Sequence, residues 1–146
     1  MHYTRQDMIS LARKNAKSAG LANAEFIKST ITSIPLADSS VDCIISNCVI
    51  NLVPKEDKPA VFTEMARILK PGGRVAVSDI LARQQLPQDI LGDMALYVGC
   101  VSGASLVSEY EAWLAQAGFT GEFSSSITYW QGINAILIVS AMTQVF

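Results

Sequence analysis

The sequence lacks the features that define several large classes of protein. Its 146 residues carry a net charge of only -2, and 16% of them are charged, so charge gives no reason to expect binding to nucleic acid or to a membrane surface. No apolar run approaches the ~18 residues of a membrane span, and the N-terminus has no continuous apolar segment of the secretory type. These observations argue against polyanion-binding and membrane-spanning proteins.

Cysteine and histidine are also sparse. The three cysteines, Cys43, Cys48 and Cys100, form no CxxC and no disulfide framework, and the single His2 has no metal-binding neighbours. Reduced thiols of this kind predict a cytoplasmic protein. Because His2 is isolated, we expect no metal site. The sequence also contains no phosphate-binding loop and no Ser-His-Asp arrangement, so we assign no catalytic residue.

Half of the residues are apolar, and a chain of this length is expected to form one domain over residues 1–146. The basic residues near the N-terminus resemble a mitochondrial presequence faintly, but helical spacing of the apolar residues favours a domain helix. The pattern predicts the following elements in order: a helix over 8–19, strands over Ala24–Lys28 and Val41–Val49, a helix over Lys58–Leu69, a strand over Arg74–Ile80, helices over 88–97 and Glu109–Ala117, and a hairpin of Glu122–Trp130 and Ala135–Met142. This alternation predicts an α/β sheet with helices on its faces.

Ligands of such sheets collect beyond the carboxyl ends of the strands. This rule selects the segment KSTI after the first strand, SNC after the second, and Ser78-Asp79 after the third. Cys48 lies in the second of these, and Cys100, 52 positions later, could fold back over the same edge. The spacing leaves two interpretations open, either two ordinary buried thiols or one shared site for a soft, thiophilic ligand.

Two further residues have an ordinary structural interpretation beside a functional one. Cys43 falls in the middle of the Val41–Val49 strand, where a small apolar filler is expected, and that strand has the continuous apolar pattern of one buried on both faces. Asp79 at a strand end could contact a ligand or make a loop hydrogen bond. Neither the Ser105 nor the Ser108 side chain can be preferred from sequence as the N-cap of the following helix.

Several segments together resemble one known family. They are NAEF at 23–26, IPLADSSVD at 34–42, ISNCVINL at 45–52, ARILKPGGR at 66–74 and GCVSGA at 99–104. The LKPGGR part of ARILKPGGR occurs across class I methyltransferases and indicates only that broad class. The segments SNCVINL and GCVSGA are more specific. Over about residues 8–120 the chain resembles the arsenite methyltransferases, which are class I S-adenosylmethionine-dependent enzymes related to the ubiquinone methyltransferases.

The resemblance implies a substrate site and a cofactor. It implies that Cys48 and Cys100 are thiol ligands of As(III), which takes a pyramidal set of thiolates and itself attacks the methyl group, so no general base is needed. It implies S-adenosylmethionine as methyl donor, with contacts at Thr30 and Ile31 after one strand and at Asn47 after another.

The chain also departs from the family pattern. No glycine-rich loop for the methionine end of the cofactor is present, the acidic residue for the ribose falls near His2 or Tyr3, a carboxylate for the adenine falls at Thr30, and a third arsenic-binding cysteine is missing. We therefore expect an N-terminally truncated, incomplete class I methyltransferase (Rossmann-like) sheet that lacks the first βαβ strands and ends in an antiparallel hairpin. The unpaired edge of such a sheet predicts a homodimer, formed through that edge or by exchange of the N-terminal helix.

Three hypotheses for function remain open at this point. The chain could transfer a methyl group from S-adenosylmethionine to As(III). Alternatively, it could be a non-catalytic relative that binds a thiophilic ligand or a partner protein. It could also be a fragment whose full-length form supplies the missing loop.

Overall fold

The computed structural model describes residues 5–87, 101–120, 125–126 and 136–145. These residues belong to two compact units, Met1–Pro35 and Leu36–Phe146, each of which is described by itself. That residues 1–146 form a single domain stays a prediction. No helix of the described residues is long and apolar enough to cross a membrane.

The N-terminal unit is built on helix α1, Arg5–Ser18, which confirms the expected helix and begins it three residues earlier. Gly20 ends the helix with φ +69°, a conformation that glycine adopts without strain, and the Leu21 N–H donates to the Ala16 carbonyl over 2.9 Å. Farther on, the guanidinium of Arg13 donates to the Phe26 carbonyl over 3.0 Å. These bonds hold the following irregular segment to the helix.

The strand expected over Ala24–Lys28 is not formed, since residues 23–29 have no regular structure. A strand is stabilised only when its backbone N–H and C=O groups pair with a neighbouring strand. Within the described ranges, no ladder includes this segment. The strand predicted from the composition of this segment was therefore wrong.

The C-terminal unit contains a mixed sheet. Its strands are β1 Val41–Asn47, β2 Leu69–Ala82, β3 Phe119–Thr120, β4 Ser125–Ser126 and β5 Ile136–Val145. The order is β1-β2-β5-β3, and β4 also pairs with β5. Strands β1 and β2 are parallel, whereas β5 is antiparallel to β2, β3 and β4. The parallel pair and its connecting helix form a βαβ unit, which confirms the predicted α/β class.

Helix α2, Lys58–Ile68, connects the two parallel strands. Its buried face carries Val61, Met65 and Ile68, whose i, i+4 and i+7 spacing is part of the pattern from which the helix was predicted. The helix passes into β2 without a loop, so the strand begins at Leu69 rather than at the expected Arg74. The intervening KPGG segment is accommodated by a register shift between Val41 and Cys43 of β1.

The antiparallel C-terminal part of the sheet is confirmed in the residues that the structure describes. Strand β5 pairs with β2 from Arg74↔Gln144 to Ala82↔Ile136, and Ser125 of β4 pairs with Val139. The hairpin connection at 127–135, the helix expected over 88–97 and Cys100 all lie outside the described residues.

Helix α3, Val107–Gln116, packs its aromatic residues on α2. The rings of Phe62 and Tyr110 meet edge to face, with centroids 4.8 Å apart and planes at 79°, a favourable arrangement for aromatic pairs. The helix starts two residues before the predicted Glu109. Glu109 itself caps the N-terminus, because its Oε2 accepts the Leu106 N–H over 3.0 Å.

Strand β1 differs from the expectation of a strand buried on both faces. The side chain of Ile45 is 81% exposed, and Cys43 is exposed, so the prediction of Cys43 as core filler was wrong. In the part of the chain that the structure describes, β1 pairs with β2 alone and lies at the edge of the sheet. A continuous apolar pattern cannot distinguish such an edge strand from a central one.

The exposed edge of β1 predicts self-association. Unpaired backbone groups beside an exposed apolar side chain recruit another strand, so we expect a dimer in sedimentation experiments at micromolar concentration. Ile45→Lys should shift the equilibrium to monomer, because a charge on an edge strand opposes pairing. Leu21→Lys, which replaces a 54% exposed leucine outside the sheet, is the matched control and should leave the dimer intact.

A wild-type monomer would contradict this prediction. A dimer that persists in Ile45→Lys would instead favour exchange of α1.

Candidate functional site

The carboxyl ends of β1 and β2 lie side by side, because the strands are parallel and Asn47 pairs with Ser78. Cys48 follows immediately, and its N–H donates to the Ser78 carbonyl over 2.8 Å. Cys48 has φ +51°, a left-handed conformation that costs a non-glycine residue roughly 1 kcal/mol or more. The thiol is half-buried. The backbone thus holds this cysteine in a strained, fixed orientation at the ligand-binding edge of the sheet.

The residues after Cys48 fix this strand end to β2. Ile50 and Asn51 open a short 3₁₀ turn, Ile50–Leu52, and both are fully buried. The Asn51 side-chain amide donates to the Ile80 carbonyl over 2.6 Å. The side-chain amide of Asn51, a residue of the ISNCVINL segment, therefore has a structural role.

The structure brings the described part of GCVSGA against ISNCVINL. Gly103 lies so close to Asn51 that a Cβ at position 103 would be 2.0 Å from the Asn51 carbonyl oxygen, so only glycine fits there. Val101 is fully buried, and the Ala82 N–H donates to the Ser105 carbonyl over 2.8 Å. Cys100 adjoins Val101 in sequence but lies outside the described residues, so its pairing with Cys48 stays a prediction.

Lys58 is a buried residue that the sequence analysis did not select. Its side chain is 2% exposed, and its ammonium donates to the Ser105 hydroxyl over 2.8 Å and to the Gly103 carbonyl. Burial lowers the pKa of Lys58 to about 8, although the carboxylates of Asp79 and Glu109 act to raise it. A signal was available, since Lys58 precedes Val61, Phe62 and Met65 by three, four and seven residues and so shares their buried face.

Asp79 is buried between β2 and the helices, with 1% of its surface exposed. Burial raises its pKa to about 6, while hydrogen bonds from the Tyr110 hydroxyl and the Ile50 N–H and the charge of Lys58 lower it. The Tyr110 hydroxyl lies 3.4 Å from Oδ2, and burial raises the pKa of Tyr110 strongly. The geometry pairs Asp79 with Tyr110 of α3, and its Oδ1 has no hydrogen-bond partner among the described residues, so both interpretations of Asp79 stay predictions.

The residues expected at the cofactor are distributed over both units. Thr30 and Ile31 occupy a turn of the N-terminal unit, where the Ser33 N–H donates to the Thr30 carbonyl over 3.2 Å, and Thr30 is exposed. Asn47 is exposed at the end of β1, and the buried hydroxyl of neighbouring Ser46 has no hydrogen-bond partner among the described residues. None of Thr30, Ile31 and Asn47 carries a carboxylate, the group that the ribose hydroxyls of S-adenosylmethionine call for, so they do not fit the ribose.

The thiols of the described residues form no larger cluster. Neither Cys43 nor Cys48 is in a disulfide, and no group of three or more His, Cys, Asp or Glu side chains in the described ranges could hold a metal ion. Within those ranges, Cys48 is therefore the thiol placed at the strand ends, while Cys43 lies on the exposed part of β1.

Comparison with known proteins identifies a matching family and several similar proteins. A family model described as a methyltransferase domain matches residues 4–118. An arsenite methyltransferase of Halobacterium salinarum is 45% identical over 113 residues, which are 77% of this chain and 28% of the relative. The human arsenite methyltransferase is 37% identical over 101 residues, covering 67% of this chain and 26% of the relative. The chain thus spans less than a third of the length of these two relatives.

Solved structures agree on the fold. An arsenic(III) S-adenosylmethionine methyltransferase from Chlamydomonas reinhardtii is 29% identical, with a TM-score of 0.73 over 97% of this chain and 51% of that protein. A S-adenosylmethionine-dependent methyltransferase from Methanosarcina mazei, at 20% identity and a TM-score of 0.71, covers 98% of this chain and 79% of that protein. The fold is therefore the Rossmann-like fold of S-adenosylmethionine-dependent methyltransferases.

The raised pKa of Asp79 predicts a pH-dependent penalty on stability. A carboxyl group whose pKa is raised from 3.8 to about 6 by folding stabilises the fold fully below pH 4 and loses that contribution as pH rises through 6. Asp79→Asn removes the penalty. Its free energy of unfolding relative to wild type should therefore grow between pH 4 and pH 7, by up to about 3 kcal/mol.

Urea unfolding followed by circular dichroism at several pH values measures this difference. Asp42→Asn, which replaces an exposed aspartate of β1 paired with Lys70 over 2.8 Å, is the control and should show a far smaller change. A pH-independent difference for Asp79→Asn would contradict the prediction.

Proposed function

Because the chain belongs to the methyltransferase domain family and resembles the arsenite methyltransferases in particular, we propose that it forms the As(III)-binding, acceptor side of an arsenite-type methyltransferase. Cys48 and Cys100 are the thiol ligands in this proposal. The observation that carries it is the conformation of Cys48, a non-glycine residue with φ +51° at the carboxyl end of β1.

The geometry of Cys48 supports a ligand role better than a packing role. A residue that only filled space would not require a left-handed backbone, and strained residues of this kind concentrate at functional sites. The Cys48 N–H donates to the Ser78 carbonyl over 2.8 Å, so the backbone that carries the thiol is positioned before a ligand arrives. Preorganisation of this kind favours binding because little ordering remains to be done.

The packing of the two motifs supports Cys100 as the second ligand. Val101, its neighbour in sequence, is fully buried, and Gly103 touches the Asn51 backbone, three residues after Cys48. The segment that follows Cys100 is thus attached to the segment that follows Cys48. Two thiolates from these segments would suit As(III), a soft centre that prefers sulfur ligands.

The acceptor chemistry asks little of other side chains. As(III) coordinated by thiolates keeps a lone pair, so the arsenic is itself the nucleophile and no proton has to be removed. This agrees with the buried groups nearby, because Lys58 and Asp79 are engaged in hydrogen bonds of the fold. S-adenosylmethionine would supply an electrophilic methyl sulfonium.

The donor side has weaker support, which favours a second candidate function. Thr30, Ile31 and Asn47 provide a hydroxyl, an apolar side chain and an amide, and none provides the carboxylate that ribose hydroxyls call for. A non-catalytic relative that binds a thiophilic ligand through Cys48 and Cys100 would need only the acceptor residues. The two candidates share the thiol site and differ in whether the methyl donor binds.

The thiol site predicts the effect of two substitutions. Cys48→Ser and Cys100→Ser should each weaken As(III) binding by roughly a hundredfold, because loss of one of two linked ligands removes the gain in effective concentration. Isothermal titration with arsenite measures the affinity. Cys43→Ser, which replaces the exposed cysteine of β1, is the matched control and should bind As(III) as the wild type does. Unchanged affinity in both single variants would reject the shared site.

Titration with S-adenosylmethionine separates the two candidate functions. We expect the chain to bind As(III) without saturable binding of S-adenosylmethionine, because the cofactor residues of this chain do not fit the ribose. Saturable binding, weakened by Asn47→Ala and not by the control Asn15→Ala on α1, would contradict this expectation and establish the donor site. If the donor site is established in this way, the catalytic candidate predicts that the chain produces methylated arsenic from As(III) and S-adenosylmethionine.

A further inference from the structure

A cavity of about 380 Å³ lies at the carboxyl ends of β1 and β2. It is bounded by the turn after β1, by the end of β2, by the start of α2 and by the segment that leads into α3. Its volume is within the ~300–1,000 Å³ range of small-molecule sites, and its position at the strand ends is where α/β sheets bind ligands. Cys43 and Cys48 are not among the residues that line it.

The floor of the cavity is polar although it is buried. Asn51, Lys58 and Ser105 line it and are each less than 5% exposed, and Ser102 is 8% exposed. An ammonium has three N–H donors, and the Lys58 ammonium uses two of them on the Gly103 carbonyl and the Ser105 hydroxyl. Among the described residues, no acceptor is assigned to the third.

The charges around the cavity favour an anion. Lys55 and Glu109 at its rim form an ion pair with Nζ and Oε1 2.7 Å apart, so their charges cancel. Lys58 is the remaining positive charge of the lining. Helices α2 and α3 both begin at the cavity, with Lys58 as the first residue of one and Leu106 preceding the other, and helix N-termini carry a partial positive charge.

One wall of the cavity is apolar. Ala82 and Leu86 form a buried cluster against which Ala104 and Leu106 pack, and all four residues line the cavity. A ligand that filled the space would therefore place a charged end at Lys58 and an apolar body against this wall.

We propose that this cavity is a binding site for a small organic anion, a carboxylate with a short aliphatic chain, whose charged end accepts a hydrogen bond from Lys58. The carboxylate accepts a hydrogen bond from the third N–H of the Lys58 ammonium, and the aliphatic chain packs against Leu86 and Leu106. Among the described thiols, neither Cys43 nor Cys48 lines the site, and the proposal depends on neither As(III) nor the methyl donor.

Hexanoate and 1-hexanol are suitable probes, because they share an apolar chain and differ in charge. Binding is measured by titration of ¹⁵N-labelled full chain followed by amide chemical shifts. We expect hexanoate to bind about tenfold more tightly than hexanol, as for a charge-assisted hydrogen bond, and to shift the amides of Ser105 and Leu106. Equal affinity for the two probes, or no binding of hexanoate, would overturn the proposal.

Variants assign the preference to Lys58. Lys58→Met should reduce hexanoate affinity to that of hexanol, whereas Lys70→Met, at a lysine of β2 that does not line the cavity, should leave the preference unchanged. Ala104→Leu makes the apolar wall bulkier, which narrows the cavity, and should therefore weaken the binding of both probes. It also tests the site if Lys58→Met does not fold. A preference retained in Lys58→Met, or full hexanoate binding in Ala104→Leu, would overturn the assignment.

Discussion

The contact of Gly103 with the Asn51 carbonyl is the constraint on which the structure at the carboxyl ends of β1 and β2 depends. It brings two backbone segments closer than any side chain at position 103 would allow, and the ammonium of Lys58 bonds to the same segment from the other side. Burial of that ammonium is unfavourable unless it is well bonded. The segment between Val101 and Ser105 is therefore held by a steric fit and a buried charge together.

Local pattern predicted the parts of the fold that local forces decide. The spacing of Val61, Met65 and Ile68 identified α2. The rule that ligands bind at strand ends selected Cys48, which the structure places at the end of β1. The burial of Lys58 was not predicted, because lysine is usually exposed. Only the position of Lys58 on the apolar face of α2 indicates that it is buried. The left-handed conformation of Cys48 has no sequence signal either, since cysteine rarely adopts it.

The errors came from features that depend on neighbouring strands. Ala24–Lys28 has the composition of a strand, and Val41–Asn47 that of a strand buried on both faces, yet each outcome is set by what lies beside it. Pairing partners are distant in sequence, so composition cannot specify them. The exposure of Cys43 follows from the same cause, because a residue in the middle of a strand is a core residue only where another element covers it.

The direct passage of α2 into β2 has a mechanical consequence. Lys58 at the start of the helix is bonded to Ser105, and Ala82 at the far end of the strand is bonded to the same residue. Helix, strand and the segment around Ser105 thus close a ring of covalent and hydrogen bonds with no loop between helix and strand to absorb movement. A displacement of the segment around Ser105 therefore strains its hydrogen bonds to Lys58 and Ala82. Lys58, Ala82 and Ser105 all line the neighbouring cavity, so this ring of bonds forms part of its wall.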